Sequence, residues 1–316
     1  MKQIPILVLF GLLIVSCQIS EKKENFSNKA IRTALDLQGH RGARGLKPEN
    51  TWPAFEDAIK FGMTTLELDT VVTRDSQIII HHDSESNPNL CQGDDGSKIP
   101  IKSIYDWNLK ELQSLDCGSL RNPKFPEAEL IPKTRLLSLD EFFQKVALAE
   151  KTYKRNLFFN IETKFPEDYV VPDSKVKEHV DLLVVAIQKA KVEDRATIQS
   201  FDLRTISYLK SLKTKIRGSA LFAPSYPQGI RLTLGFGGSI GSNIILAANS
   251  VKADIISPYH LYVTREFVKE AHDAGLEVIP WTINDKEKMR ILLDLGVDGI
   301  ISDYPNRLIE VFREKN

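Results

Sequence analysis

Short apolar runs alternate with helix-period segments along most of the chain. Nine apolar runs predict strands, at Leu35–His40, Thr65–Val72, Gln77–His81, Leu157–Ile161, Ala196–Phe201, Gly218–Phe222, Asp254–Ser257, Glu277–Thr282 and Gly299–Ser302. Six segments with apolar residues three or four positions apart predict helices, at Thr51–Phe61, Leu139–Glu150, Lys175–Lys191, Leu203–Leu212, Thr264–Ala274 and Lys286–Leu295. Strands that alternate with helices build a parallel sheet with helical crossovers. The expected fold class is α/β, as a distorted (β/α)8 barrel, which suits a chain of 316 residues.

The second and third predicted strands are too close in sequence to be parallel neighbours. Only four residues separate Val72 from Gln77, whereas a parallel crossover needs a dozen or more. We therefore predict an antiparallel hairpin, which accounts for the ninth strand. With Val72 facing Gln77, the register places Glu67 roughly opposite His82, within contact distance across the two strands.

Two segments interrupt the alternation of strands and helices. Residues 84 to about 135 are rich in Asn, Asp, Gly and Pro, with one short helical pattern at Tyr105–Leu115. A long insert after an early barrel strand is usually a functional lid or a small subdomain. Residues 223–243 are glycine-rich and predict a loop or surface cover, with a phosphate-binding nest as the alternative.

The first residues are typical of an export signal. Lys2 supplies a positive start, and the apolar run Ile4–Val15 is short for a bilayer span. The ending resembles a bacterial lipobox, which makes Cys17 the lipidated mature N-terminus; a plain signal peptide with an incidental cysteine is the alternative. The expected organisation is a signal peptide at 1–16, a lipidated tether at 17–34 and a barrel domain at 35–316 with its insert at about 84–135.

This organisation predicts an exported protein that is lipid-anchored to the cell envelope. Gln18, rather than Asp, follows the cysteine. By the same lipobox resemblance, that favours the outer membrane or the periplasmic side in a Gram-negative cell. The membrane contact is then made through the N-terminal lipid.

Charge and cysteine usage narrow the class of partner. Lys+Arg and Asp+Glu both total 42, so the formal net charge is zero and no long-range field favours nucleic acid or an anionic membrane surface. Cys91 and Cys117 form a disulfide in an exported protein or remain two buried thiols, and both readings stay open. No CxxC or Cys/His spacing that indicates a metal site accompanies them.

Polar residues at the ends of apolar strands mark the candidate site. Glu67 and Asp69 are two residues apart on one strand and therefore share a face. A divalent cation keeps two such carboxylates ionised on an interior strand, whereas the polar outer face of an edge strand is the alternative. His40 and Arg41, at the end of the first strand, offer a proton carrier and a phosphate-binding fork, or a solvated turn.

Two further strand ends carry the same kinds of residue. His82 follows three isoleucines and His81, and Glu162 shares a face with Lys164, where a simple ion pair is the alternative. Oxygen ligands favour Ca²⁺ or Mg²⁺ over zinc. A hard cation, an arginine and an acid/base histidine pair are the catalytic groups that cleavage of a phosphoryl ester requires.

The motifs form one ordered series over about residues 36–310: His40-Arg41-Gly42, Glu49-Asn50-Thr51, Phe55, Glu67-x-Asp69, His82-Asp83, Glu162-x-Lys164, Ser200-Phe201, Trp281-Thr282 and Gly299-Ile300-Ile301-Ser302-Asp303. In order and spacing the series resembles the glycerophosphodiester phosphodiesterase family, in its bacterial lipoprotein form. The resemblance implies a distorted TIM barrel that hydrolyses glycerophosphodiesters to sn-glycerol 3-phosphate and an alcohol. A lysophospholipase D-like activity, or another lipid phosphodiesterase activity at the same site, is the alternative. A non-catalytic surface-binding module is the remote alternative.

The resemblance also implies a role for each candidate residue. Glu67, Asp69 and Glu162 would bind one divalent cation (Ca²⁺ or Mg²⁺), His40 and His82 would be the acid/base pair, Arg41 and Lys164 would contact the phosphate, and Trp281 would line the pocket or simply pack the barrel. In the family, the glycerol 2-hydroxyl is thought to attack phosphorus and give a cyclic phosphate that water opens. Ser76 stands where the family commonly has Gly. His82 is preferred to His81 because an Asp follows it.

Overall fold

The computed structural model describes residues 35–166, 171–224 and 240–315. The predicted signal peptide 1–16, Cys17, the tether 17–34 and most of the glycine-rich segment 223–243 lie outside the described residues. Within the described ranges, no helix has both the length and the apolar character needed to cross a bilayer.

Parallel strands arranged in a ring dominate the described chain. Its strands are β1 (Asp36–Gly39), β2 (Thr65–Val72), β3 (Ile78–Ile80), β4 (Phe158–Thr163), β5 (Ala196–Ser200), β6 (Arg217–Phe222), β7 (Ile255–Pro258), β8 (Glu277–Val278) and β9 (Gly299–Ser302). Eight of them are parallel, in the order β8-β7-β6-β5-β4-β2-β1-β9. Backbone hydrogen bonds from Asp298 N to Val278 O (2.9 Å) and from Ile301 N to Pro280 O (3.1 Å) join β8 and its continuation to β9. The nearly closed ring confirms the predicted (β/α)8 barrel.

Helices connect the strands around the outside of the ring. They are α1 (Trp52–Phe61), α2 (Leu109–Gln113), α3 (Leu139–Tyr153), α4 (Asp173–Ala190), α5 (Leu203–Ser211), α6 (Ile240–Ser250), α7 (Arg265–Asp273), α8 (Lys286–Leu295) and α9 (Pro305–Lys315), with 3-10 turns at Ile104–Asp106, Glu193–Arg195 and His260–Tyr262. The sequence prediction includes neither α6 nor α9. Signals for α9 are present nevertheless, because Pro305 is a favoured first helical residue and Leu308 and Val311 are buried at helical spacing.

The β2–β3 hairpin is antiparallel as predicted, but its register differs by one residue. Val72 pairs with Ile78, not with Gln77, and the expected opposition of Glu67 and His82 is therefore wrong. The turn is longer than predicted, because Gln77 belongs to it and accepts a hydrogen bond from Thr73 N. Within the turn, Ser76 adopts a left-handed conformation with φ 51°. A left-handed turn residue is the position where glycine is usually favoured.

The two faces of the barrel strands bury different kinds of side chain. Outward-facing Phe159 packs against Phe142 of α3 in an edge-on contact with ring centroids 6.0 Å apart. Inward-facing Asn160 donates through Nδ2 to Gln38 Oε1 (2.8 Å) and to Gln199 Oε1 (2.9 Å). Buried amides in such a network hold their neighbours in fixed positions, so the polar floor of the barrel supports the residues above it.

The insert after β3 is a small folded unit and not an open loop. Its apolar side chains form their own buried cluster with Val71 and Ile79 of the hairpin. Of the two alternatives for its cysteines, the structure contains the disulfide between Cys91 and Cys117. The single predicted helix Tyr105–Leu115 is divided into a 3-10 turn and α2, because Asn108 forms a capping box with Glu111 and starts a new helix.

Candidate active site

The predicted site residues meet at the carboxyl ends of the barrel strands, around a cavity of about 250 Å³. This is the end at which barrel enzymes place catalytic groups. Those that line the cavity are His40, Arg41, Glu67, His82, Glu162, Lys164 and Trp281. Asp69 is completely buried, beside Glu67 and Glu162. Cys91 and Cys117 lie apart from this cavity, against a separate pocket under the insert.

Three carboxylates converge where β2 and β4 pair. Asp69 is the register partner of Glu162, and one oxygen from each of these residues and Glu67 lies within 4.8 Å of the others. Burial, and then the neighbouring carboxylates, raise the pKa of Glu67 well above its ordinary value. Burial also raises the pKa of Glu162 to about 7, although Lys164 opposes the shift. Without a cation, the three groups therefore resist being ionised together.

Asp69 is the carboxylate that stays ionised. Burial acts to raise its pKa, but the charges of Arg41 and Lys164 outweigh burial and hold the pKa far below its ordinary value. Its Oδ1 atom is buried and accepts no hydrogen bond from the described residues, although the Lys164 ammonium lies 3.5 Å away. A buried anionic oxygen is costly when it has no donor. The three carboxylates, with this oxygen among them, fit a hard divalent cation.

Three neighbouring donors hold the carboxylates in place, and one of them, Gln199, was not identified from the sequence. Gln199 Nε2 donates to Glu67 Oε1 at 2.9 Å, and the backbone N of Arg41 donates to Glu67 Oε2 at 2.8 Å. Asn50 Nδ2 donates to Asp69 Oδ2 at 2.9 Å. Asn50 belongs to a motif quoted above, but only the fold shows that its side chain reaches β2.

The turn after β1 directs Arg41 into the cavity. Arg41 has φ 49° and Gly42 has φ 81°, both in the left-handed region. A Cβ on Gly42 would lie 2.5 Å from the carbonyl carbon of Ala54, so this position requires glycine. Arg41 donates through Nη1 to Glu49 Oε1 at 2.6 Å, and its Nε lies 3.1 Å from Asp69 Oδ2.

Lys164 supplies a second cation on the opposite side of Asp69. Its Nζ donates to Glu162 Oε1 at 2.7 Å and lies 3.5 Å from Asp69 Oδ1. Burial acts to lower the pKa of Lys164, but Glu162 and Asp69 outweigh it and raise the pKa. Lys164 therefore stays protonated beside the cavity.

His40 is fixed by Asp303, a residue from the far end of the chain. His40 Nδ1 and Asp303 Oδ1 are 2.6 Å apart, and Asn284 Nδ2 donates to the other oxygen of Asp303 at 2.7 Å. The Asp303 carboxylate accepts a hydrogen bond from Nδ1–H, so that the unprotonated Nε2 lies 4.0 Å from Glu67 Oε2. Burial lowers the pKa of His40 despite the opposing charge of Asp303, so the neutral imidazole presents a basic Nε2 to the cavity.

His82 is arranged in the same way on the other side of the cavity. Its Nδ1 lies 2.7 Å from Asp83 Oδ1, and Asn87 Nδ2 donates to Asp83 Oδ2 at 2.8 Å. Burial, Lys164 and Arg41 lower the pKa of His82 to about 4. His81 does not line the cavity; its Nε2 lies 3.2 Å from the carbonyl oxygen of Glu85.

Trp281 forms an aromatic wall opposite the carboxylates. Its indole Nε1 donates to Ser257 O at 2.9 Å, and its ring packs edge-on against Phe201 with centroids 5.5 Å apart. The Trp281 ring, fixed by these two contacts, gives the cavity an apolar side that suits the carbon skeleton of a small polyol.

Comparison with known proteins places these features in one family. The model of the "Glycerophosphoryl diester phosphodiesterase family" matches residues 40–307. A Bacillus subtilis protein, YhdW, named as a candidate glycerophosphodiester phosphodiesterase, is 28% identical over 277 residues, covering 88% of this chain and 98% of its own. A Caldanaerobacter subterraneus glycerophosphodiester phosphodiesterase is 27% identical over 275 residues, covering 87% and 96%. The crystal structure of a candidate family member from Silicibacter pomeroyi superposes with a TM-score of 0.79 at 26% identity, covering 89% and 94%.

Proposed function

The chain belongs to the glycerophosphoryl diester phosphodiesterase family and is a phosphodiesterase, and we propose that it is an exported, metal-dependent enzyme that releases sn-glycerol 3-phosphate from glycerophosphodiesters. One observation carries the proposal: three buried carboxylates, two carboxylate-held histidines and two cations converge on one cavity. A cavity with these groups combines acid/base catalysis with charge stabilisation at phosphorus.

Glu67, Asp69 and Glu162 are the residues that would hold the divalent cation, Ca²⁺ or Mg²⁺. When bound, the cation supplies positive charge that stabilises the oxygens of the phosphodiester. Asp69 Oδ1 accepts no hydrogen bond from the described residues, and the pKa values of Glu67 and Glu162 are raised; both observations support metal dependence, because a cation relieves both costs.

Arg41 and Lys164 bind and orient the phosphodiester. Both line the cavity, and both are already directed towards Asp69 by ion pairs of 3.1 and 3.5 Å. Arginine presents donors in a fork that matches two phosphate oxygens, and lysine adds a compact point charge. Together they place phosphorus between the two histidines.

His40 acts as the base and His82 as the acid in the first half of the reaction. His40 Nε2 takes the proton from the attacking glycerol hydroxyl, while Asp303 stabilises the imidazolium that forms. His82 protonates the leaving alcohol. An anionic phosphate beside Arg41 and Lys164 offsets the two charges that depress the pKa of His82, so substrate binding favours its protonated form.

The hydrolytic proposal is tested by measuring glycerol 3-phosphate release from a panel of glycerophosphodiesters. We expect release with Ca²⁺ or Mg²⁺ and its loss in EDTA, with recovery when the cation is returned. Release of glycerol 3-phosphate from none of the diesters, with or without added cation, would remove the proposal. Unchanged turnover in EDTA would remove metal dependence alone.

Export with a lipid anchor on Cys17 is a separate part of the proposal. The apolar run Ile4–Val15 followed by Cys17 supports it. In a bacterial host, the wild type is expected to sediment with membranes and to carry the mass of the attached lipid, whereas Cys17→Ser is expected to lose both properties. Equal membrane association of the two forms, with no lipid mass, would contradict the anchor.

A further inference from the structure

A second cavity, of about 740 Å³, opens from the active site on the side of the insert. Arg41, Arg44 and His82 line both cavities, so the two are continuous. We call the second cavity the insert groove; besides these residues, its walls include Asn87, Arg121 and Lys124. The insert groove borders His82, the residue proposed to protonate the leaving alcohol.

The insert groove carries an excess of positive charge. Arg121 and Lys124 have no carboxylate partner among the described residues. The guanidinium of Arg121 donates through Nη1 to Pro126 O and Ala128 O (2.8 Å each), and its other nitrogens make no hydrogen bond to these residues. The lining contains four cations and two carboxylates, Glu49 and Asp83. Glu49 pairs with Arg41 at 2.6 Å, and Asp83 accepts hydrogen bonds from His82 at 2.7 Å and Asn87 at 2.8 Å. Arg121 and Lys124 therefore line the groove with N–H donors that are available to a ligand.

The segment that bears these cations is fixed against the barrel. The guanidinium of Arg44 lies 4.5 Å from the ring centroid of buried Phe125, which follows Lys124 directly. Glu129 N donates to Leu46 O at 2.9 Å, and the Glu129 carboxylate pairs with Lys47. A recognition surface held in this way needs little ordering when a ligand binds.

A third cavity also borders His82 and shares Asp83 and Asn87 with the insert groove, but the charged residues beyond them differ. Its own charged lining is exposed Glu85 and Lys164, and that lysine is already paired with Glu162. A cationic alcohol such as choline is better matched to this cavity. The two exits therefore discriminate between leaving alcohols by charge.

We propose that the insert groove binds the leaving alcohol and selects diesters whose alcohol bears an anionic group, a phosphate or a carboxylate. The proposal rests on the proposed phosphodiesterase function and names its substrate class. Arg121 and Lys124 bind the anionic group, Arg44 lies between that group and the phosphodiester, and His82 protonates the alcohol oxygen between them. An acyl chain in this groove would cover unpaired cations, which disfavours a lysophospholipid.

The test compares two diesters that differ only by a terminal phosphate, glycerophosphoglycerol and glycerophosphoglycerol phosphate, with glycerophosphocholine as the cationic probe. At low ionic strength, kcat/KM is expected to be roughly tenfold higher for the phosphate-bearing diester, mainly through KM, because charge-assisted hydrogen bonds to partly exposed cations have this strength. Added salt is expected to reduce the preference, because it screens exposed charges.

Two variants assign the preference to the groove. Lys124→Glu and Arg121→Gln are expected to lower the ratio for the two glycerol diesters roughly five- to twentyfold, with kcat for glycerophosphocholine unchanged. Lys151→Glu, on exposed α3 surface outside the groove, is the matched control and is expected to keep the wild-type ratio. A ratio near one in the wild type, or a ratio that neither variant changes, would overturn the proposal.

Binding separates failure of the groove from failure of the proposed function. The same pair of diesters is titrated calorimetrically into His40→Asn, which keeps every groove residue. Tighter binding of the phosphate-bearing diester, abolished by adding Lys124→Glu, supports the groove even if the wild type hydrolyses no diester. Equal dissociation constants for the two diesters would refute it even if turnover is normal.

Discussion

At the scale of single residues, each histidine at the cavity is defined by the carboxylate that binds its Nδ1. Asp303 and Asp83 fix the tautomer and leave Nε2 of His40 and His82 free for proton transfer. The two imidazoles nevertheless differ in surroundings. His40 lies beside Glu67, whereas His82 borders both exits for the leaving alcohol. The division into base and acid follows from these positions.

Asp303→Asn tests the orientation of His40. The variant keeps the size of the side chain but removes the carboxylate that accepts the hydrogen bond from His40 Nδ1–H at 2.6 Å. We expect kcat to fall by about 10²- to 10⁴-fold with a smaller change in KM, as when the orienting carboxylate of a catalytic triad is replaced. The pKa of His40 falls further in the variant, because Asp303 raises it in the wild type.

The readout for this variant is kcat, KM and the pH–rate profile, with Asp181→Asn on the surface of α4 as the matched control. The acidic limb of the profile is expected to move to lower pH in Asp303→Asn. A variant with wild-type kcat and an unshifted profile would show that Asp303 does not act through His40.

The residues predicted from sequence were those whose chemistry conflicts with their surroundings. Glu67, Asp69 and Glu162 stand out because carboxylates interrupt apolar strands. The supporting residues Gln199 and Asn284 give no such signal, since amides are common in strands and turns. Asp303 is part of a quoted motif, but its contact with His40 spans 263 residues and depends on closure of the ring.

At the scale of elements, the insert is the feature that sequence patterns describe least well. Its segments are short and polar, so neither the helical nor the strand period of apolar residues identifies them. Its buried cluster is formed by side chains that are far apart in sequence. The hairpin shows a related limit. Its existence follows from loop length, but its register depends on the left-handed Ser76 and the Thr73–Gln77 bond, which the apolar pattern does not determine.

Removing the disulfide tests how far it stabilises the insert. Cys91 and Cys117 are 26 residues apart, and closing a loop of this size stabilises the folded state by roughly 3–4 kcal/mol. Cys91→Ala/Cys117→Ala is expected to lose about that free energy of unfolding in urea titrations. Dithiothreitol should destabilise the wild type by a similar amount and leave the double variant unaffected. Equal stability of oxidised and reduced wild type would contradict this role.

Buried His179 links α4 to the barrel and makes stability depend on pH. Its Nε2 lies 3.0 Å from Thr70 Oγ1, which itself donates to Glu162 O, and its Nδ1 is buried without a hydrogen-bond partner. Burial lowers the pKa of His179 to about 3. Below pH 6.5 the unfolded chain binds a proton that the folded chain does not, so stability is lost as pH falls from 6.5 towards 3.

His179→Leu isolates this contribution. Between pH 7.5 and pH 5 the wild type is expected to lose about 2 kcal/mol more free energy of unfolding than the variant, measured by urea titration at both pH values. Val185→Leu, at an exposed position of α4 without a titratable side chain, is the control and is expected to retain the wild-type pH dependence. An identical pH dependence in His179→Leu and the wild type would place the acid sensitivity elsewhere.

At the scale of the whole molecule, closure of the barrel assembles the site from segments that are far apart. β1, β2 and β4 are neighbours in the ring, which brings Glu162 beside Asp69 as register partners. Alternating elements predict this fold class well, because the strand and helix periods differ and the order allows few topologies. The zero net charge, by contrast, gives no indication of the basic insert groove, since a sum over the chain is insensitive to position.

Metal-dependent phosphodiesterase activity is tested by glycerol 3-phosphate release from metal-stripped enzyme, before and after Ca²⁺ or Mg²⁺ is returned. The assay compares the wild type, Glu67→Gln and His40→Asn, with Glu178→Gln on the α4 surface as control. The wild type and the control are expected to release glycerol 3-phosphate only with a cation, and each site variant is expected to lose about 10²-fold or more of this activity. Cation-independent release, or wild-type rates in both site variants, would contradict metal-dependent catalysis at this site.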